Sequence, residues 1–352
     1  MSSNHLKPSP ATQLIQHLRQ SALCVDNDWA IDRNGGFSWW PHHQRQDVFI
    51  DRQSSQTKGA LLERVVITTE VGTLRREEFA TNDLVRTLAR LATVSGMVCE
   101  ETRLRLHSHA WVDKSNQPLY DVVLGLVAGL QIREAWIIAT ALEEAKLATP
   151  AATPHPVSGM RDEPDEIASV VDTLIAPAGR QEPPWPAEMF EHVRENYFAG
   201  PPCLLANSAP SGVTAEFPFG TESSLLQANT TQSHPVVGKG LWVMNSFGVD
   251  EAKDDLCHNP LALNAWEIEH SNLPFLGSWC APEAGILNFV TFVPNIMKHP
   301  AVATNFILLG AGRARLMATK WRDDNWSKTW DADGNCRAKT AMERAISERP
   351  ES

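Results

Sequence analysis

The sequence predicts an α+β protein built from two tandem modules, each running α-β-β-β-α-β-β-α. Three observations carry that prediction. At 352 residues the chain exceeds the size at which a single hydrophobic core ordinarily keeps growing, so two domains is the prior. The hydrophobic period switches between about two and about 3.6 in the same order twice along the chain. Landmarks also recur at nearly constant spacing: Asn82 and Asn259 precede the middle helices, Gly96 and Gly277 and then Cys99 and Cys280 mark the next strands, and Pro118 and Pro300 open the last helices. A repeat of this length signals duplicated domains rather than a solenoid.

In the first module, Ser9 as N-cap and Pro10 at the first helical position start a helix over residues 9–22, with Leu14, Ile15 and Leu18 on one stripe. GGFSWWPHH and QDVFIDRQ are strand candidates separated by a polar turn, and the β-branched ALLERVVITTEVG is a longer strand. TNDLVRTLARLATVS returns to helical spacing, with Thr81 as cap and Leu84, Leu88 and Leu91 on one face. MVCEE and LRLHSHAWV are strands, and Pro118 opens a helix through Lys146. The module spans 9–146.

Residues 147–185 differ in kind. Eight of the chain's 23 prolines lie between Pro150 and Pro186 among Asp and Glu, the composition of a stiff acidic linker, with IASVVDTLIA as a short helix inside it. The second module, 186–321, then repeats the order. PAEMFEHVRENYF sets Met189, Phe190, Val193 and Tyr197 on one helix face; GVTAEFPFG, SSLLQANTT and GKGLWVMNSFGV are strands; NPLALNAWEIEHS is a helix. FLGSWCAP and ILNFVTFVP are strands, and Pro300 opens the last helix. A polar tail carrying Trp321, Trp326 and Trp330 fills 322–352.

Composition excludes several functions. A net charge of −11 argues against general affinity for nucleic acid or anionic membrane. The start is polar, without the basic and apolar regions of a signal peptide. The longest apolar run, Val122 to Leu130, is far short of a bilayer span. A cytoplasmic location is expected. The six cysteines are scattered with no C-x-x-C pair, as expected of free thiols in a reducing compartment.

Chemistry is sparse. His107 and His109 stand two apart on a strand, hence on one face, and are the best metal candidates; zinc needs three or four ligands and no Cys/His pair supplies the rest. His42 and His43 would point to opposite faces of an extended chain, a poorer pair. GAGRAR at 310–315 has the wrong glycine spacing for a phosphate loop and lies inside a helix; Arg313 and Arg315 there are expected in ion pairs within the fold. DADGN at 331–335 lacks the terminal acidic ligand of a calcium loop. No G-x-S-x-G or H-E-x-x-H occurs, and no cofactor is expected.

The element order, with a five-stranded antiparallel sheet per module, resembles the class I chaperones of type III secretion and the YbjN-like bacterial proteins. The resemblance covers 9–146 and 186–321 and rests on topology and hydrophobic pattern. It implies small modules that pair and bind extended segments of a client protein on apolar surface, here two modules fused into an intramolecular pseudo-dimer. Gly125, Ala128 and Gly129 in one long helix, and Gly310, Ala311 and Gly312 in the other, would permit close packing against the backbone. The expected function is therefore non-catalytic protein binding, with Trp39, Trp40, Trp242 and Phe292 as client anchors. The alternatives are a hydrolase using His107, His109 and nearby carboxylates, and a regulatory or structural protein.

Overall fold

The computed structural model describes residues 8–57, 60–75, 91, 93–180, 185–249, 260–283 and 285–320. The fold is α+β with two antiparallel sheets, of seven and six strands. Two compact units result. The first gathers Met1–Phe79, Val94–Val171 and Ala265–Leu276; the second gathers Ala80–Thr93, Asp172–Asn264 and Gly277–Ser352.

In unit 1, α1 (Pro10–His17) begins as its sequence requires: Ser9 accepts the Thr12 amide at 3.3 Å and Pro10 follows. Strands β1 (Ala30–Arg33), β2 (Gly36–Trp39), β3 (Gln46–Thr57), β4 (Ala60–Leu74), β5 (Gly96–Glu100) and β6 (Arg103–Val112) follow. They order as β1-β2-β3-β4-β6-β5, a meander closed by a crossed hairpin. Helix α2 (Gln117–Glu144) lies on β4 and β6. By length and composition it could cross a membrane, but 67% of its apolar window is buried, so it serves as the core helix of this unit.

The expected sheet of five strands is corrected to more in both units. The stretch GGFSWWPHH supplies only β2, and β1 precedes it across a turn; β1 is a polar edge strand whose last two residues are exposed, so it carries no apolar alternation to read. The short β7 (Ala148–Pro150) pairs with β4 at Gly72–Leu74, just past the point where β3 ends its ladder. It lies within the proline-rich stretch, which also holds a 3₁₀ turn at Glu166–Ser169 and a wider turn at Val171–Ile175. The helix expected over 81–95 falls largely outside the described residues, as does the tail with its three tryptophans.

Unit 2 has α3 (Ala187–Tyr197), then β8 (Leu205–Ala209), β9 (Gly212–Phe219), β10 (Glu222–Asn229) and β11 (Gly240–Gly248). Helix α4 (Pro260–His270), β12 (Ser278–Glu283), β13 (Ile286–Pro294) and α5 (Pro300–Lys320) complete the chain order. The sheet order is β8-β9-β10-β11-β13-β12, the same meander and crossed hairpin as in unit 1. Strand β8 (LANSA) is the strand missed from sequence here, again a half-exposed edge. Met189, Phe190 and Val193 of α3 are buried as expected, whereas Tyr197 is 47% exposed because the helix ends there. Gly310 of α5 rests on the sheet: a Cβ there would stand 2.7 Å from Leu226 and 2.9 Å from Asn245. Asn245 also donates to the Gly310 carbonyl at 2.5 Å. Close backbone packing in α5 is thus helix on its own sheet.

Candidate functional site

A buried polar chain runs beneath α2. The Trp39 indole N–H donates to Gln46 Oε1 at 3.0 Å; Gln46 Nε2 donates to Thr69 Oγ1 and to the Ala128 carbonyl, each at 2.9 Å. Thr69 donates to Gln131 Oε1, and Gln131 Nε2 reaches Ser108 Oγ at 2.9 Å and the Ile67 carbonyl at 3.2 Å. Ser108 in turn donates to the Val94 carbonyl. Gln46, Thr69, Ser108 and Gln131 are fully buried, and both amide side chains are saturated. A connected network of this kind fixes register, because each member would be costly if orphaned.

The opposite face of β6 carries His107, His109 and Trp111, and here the structure does bring the two predicted histidines together. His107 Nε2 lies 3.1 Å from His109 Nδ1, and His109 Nε2 lies 3.2 Å from the Leu273 carbonyl. The carbonyl can only accept, so His109 donates from Nε2. Its Nδ1 then accepts, and His107 donates from Nε2. Burial pushes the His107 imidazole down to about 3; the Arg64 guanidinium adds to this and Asp51 partly offsets it. His107 is therefore neutral, and the nitrogens that face each other are already spent on each other. No group of three His, Cys, Asp or Glu suited to a metal occurs among the described residues.

What covers this face is the segment Ala265–Leu276. Phe275 makes an antiparallel bridge to His109, with His109 N–H to Phe275 O at 3.1 Å and Phe275 N–H to His109 O at 2.9 Å. The Phe275 ring is fully buried and stacks on His109 at 6.0 Å between centroids and 20° between planes. Arg64, paired with Asp51, donates from Nη1 to the Ile268 carbonyl at 2.8 Å. In unit 2 the corresponding strand, β13, likewise takes a bond from outside the strand path, Phe292 N–H to Thr93 O at 2.9 Å.

The proposed anchors are placed differently from one another. Trp39, Trp40 and Phe292 are buried and Trp242 is half-buried, so of the four only Trp242 reaches solvent appreciably. Three of them share a role that the sequence reading missed. His155 packs edge-on against Trp40 at 4.8 Å, and His234 packs against Trp242 at 5.5 Å and Phe292 at 4.9 Å. Both histidines open the pentapeptide H-P-V-x-G, at 155–159 and 234–238. In each, His and Gly exchange backbone hydrogen bonds, and the His Nδ1 accepts amides two and three residues on. The Gly takes φ of 77° or 76°, open to glycine at little cost. The repeated pentapeptide was the available signal.

His42 and His43 stack at 3.9 Å and 16° instead of pointing apart; β2 has ended at Trp39, and residues 41–44 bend out of the extended conformation. Arg313 is buried, with its guanidinium 3.4 Å from the Phe289 ring centroid, a cation–π contact. A cavity of about 680 Å³ opens beside α1 and β2, floored by Phe37 and Ile50 and rimmed by Arg19, Gln16 and Cys24. Arg19 at its rim is engaged by Asp32 and Asn27. Comparison of the chain with protein-family models, with curated proteins and with solved structures finds no match.

Proposed function

We propose that the protein binds extended polypeptide and acts as a chaperone-like, non-catalytic partner of a client protein, in keeping with its resemblance to class I secretion chaperones and YbjN-like proteins. One observation carries the reading: each sheet accepts a backbone segment from outside its own strand path at the same place in the strand order. In unit 1 that segment is Phe275 on His109 of β6; in unit 2 it is Thr93 on Phe292 of β13. A sheet that takes a strand in this way recognises main chain by hydrogen bonds and selects side chains by adjoining pockets. The histidines that would serve a hydrolase are instead employed in packing and mutual hydrogen bonding.

The shared strand order also supports a duplicated module, and we propose that its two copies pair within one chain. Tethering holds each copy at roughly millimolar effective concentration for the other. A cytoplasmic location fits a binding protein with free thiols. The test is an array of overlapping extended peptides probed with the purified full chain at physiological salt. Retention of apolar, strand-forming peptides with loss on alanine substitution of their aromatics is the expected result. Retention of none at micromolar protein would remove the proposal.

A further inference from the structure

His109 commits three separate groups to one short stretch of chain. Its N–H and C=O bond Phe275, and its ring Nε2–H donates to the Leu273 carbonyl. The Phe275 ring fills a closed slot, stacked on His109 and 6.1 Å from the His107 centroid. Between the two anchoring residues stands Pro274. In an antiparallel pair that exchanges both bonds, the neighbouring residues turn their amides away from the partner strand. A proline there loses no bond to β6, and it blunts the outer edge against further strands. Main-chain pairing, a ring pocket and an edge-blocking proline together make a built recognition site for a short peptide, and that site is filled from 164 residues away in sequence.

We infer that the His109 edge of β6 is a peptide-binding site for extended segments of the form apolar–Pro–aromatic, occupied in cis by Leu273–Phe275 as an intramolecular competitor. This rests on the binding function proposed above and names the ligand class for unit 1. A client segment takes the site by displacing Leu273–Phe275, so the cis segment sets a threshold that weak or non-aromatic peptides do not cross. Arg64, through its bond to the Ile268 carbonyl, holds the preceding turn of the cis segment in place.

The test uses full-length protein carrying Phe275→Ala and a fluorescein-labelled peptide Ser-Asn-Leu-Pro-Phe-Leu-Gly, the chain's own residues 271–277, read by fluorescence anisotropy. Removing the competing ring should tighten peptide binding at least about tenfold over wild type, since the cis segment competes at an effective concentration near millimolar. The same peptide with alanine in place of its phenylalanine should not bind. Phe275→Leu keeps the core filled while removing the ring, and serves identically if Phe275→Ala does not fold. Equal binding by wild type and the folded variant, or no binding by the variant at millimolar peptide, overturns the inference. In either case the peptide-array result stands independently, so failure of this site and failure of the general function are separately visible.

Discussion

Acidification should destabilise unit 1 through His107. Its folded imidazole is held down at about 3 by burial, with Arg64 adding to the effect, while an unfolded histidine titrates near 6.5. Between these values the unfolded chain binds a proton that the folded chain refuses. Stability therefore rises with pH across this window and is lost as pH falls below about 6.5. At pH 5 the unfolded state gains the equivalent of about 1.5 pKa units, or ~2 kcal/mol at 1.36 kcal/mol per unit. At pH 7 the same group costs only about 0.2 kcal/mol.

The assay is urea unfolding of wild type and His107→Gln at several pH values from 7.5 to 5, compared as differences so that other groups cancel. Gln can donate to His109 Nδ1 but cannot charge. Its stability should be lower than wild type at pH 7.5 and should converge on it, or exceed it, by pH 5. Curves that stay parallel across the range would refute the neutral, buried assignment and with it the direction of the His107–His109–Leu273 hydrogen-bond chain.

Other substitutions probe the packing. Gln131→Leu removes the acceptor of the Thr69 hydroxyl and the side-chain donor to the Ile67 carbonyl beneath α2 and should cost ~2–6 kcal/mol, two groups at ~1–3 each; a midpoint shift worth under 1 kcal/mol would show the network to be dispensable. Two helical glycines should respond in opposite senses. A Cβ at Gly129 meets nothing within 4 Å, so Gly129→Ala should stabilise by ~0.5–1 kcal/mol, whereas Gly310→Ala, pressed against Leu226 and Asn245, should destabilise by ~1–3 kcal/mol in thermal or urea unfolding. Among the thiols, Cys280 is buried and its pKa is pushed up to about 12, while Cys24 is exposed. Iodoacetamide at pH 8 should label Cys24 in native protein and reach Cys280 only after denaturation, as read by peptide mass spectrometry.

The sequence exposes those parts of the fold where burial is one-sided or complete. Strands β9, β10 and β11 alternate buried and half-buried residues, and their boundaries are readable within a residue or two. The helices begin at Pro10 and Pro300 for the reason prolines usually open helices. Edge strands β1, β7 and β8 escape because they pack on one neighbour only and need no apolar face. Pairing of His107 with His109 follows from strand alternation, but the partner that settles their chemistry, Leu273, is too distant in sequence for any local pattern to supply. Trp39, Trp40 and Phe292 lie in the core, because large aromatic side chains bury the most apolar area there.

The twin H-P-V-x-G loops and the twin sheet orders bear differently on whether the chain is a duplication. The loop at 155–159 follows β7, after the last strand of its unit, whereas the loop at 234–238 joins β10 to β11. Their places in the element order do not correspond, so their common geometry is what five residues impose locally: a proline after the histidine, an imidazole nitrogen turned back onto two amides, and a glycine at positive φ. An aromatic clamp on the ring recurs because a buried imidazole edge packs favourably on an aromatic face. The sheet order is the opposite case. No local rule compels a four-strand meander to finish in a crossed hairpin twice. Nor does one compel the fifth and sixth strands to exchange places in both sheets, with an outside segment on the same strand each time. The duplication proposal therefore rests on topology, and the loops, though more alike to the eye, add nothing to it.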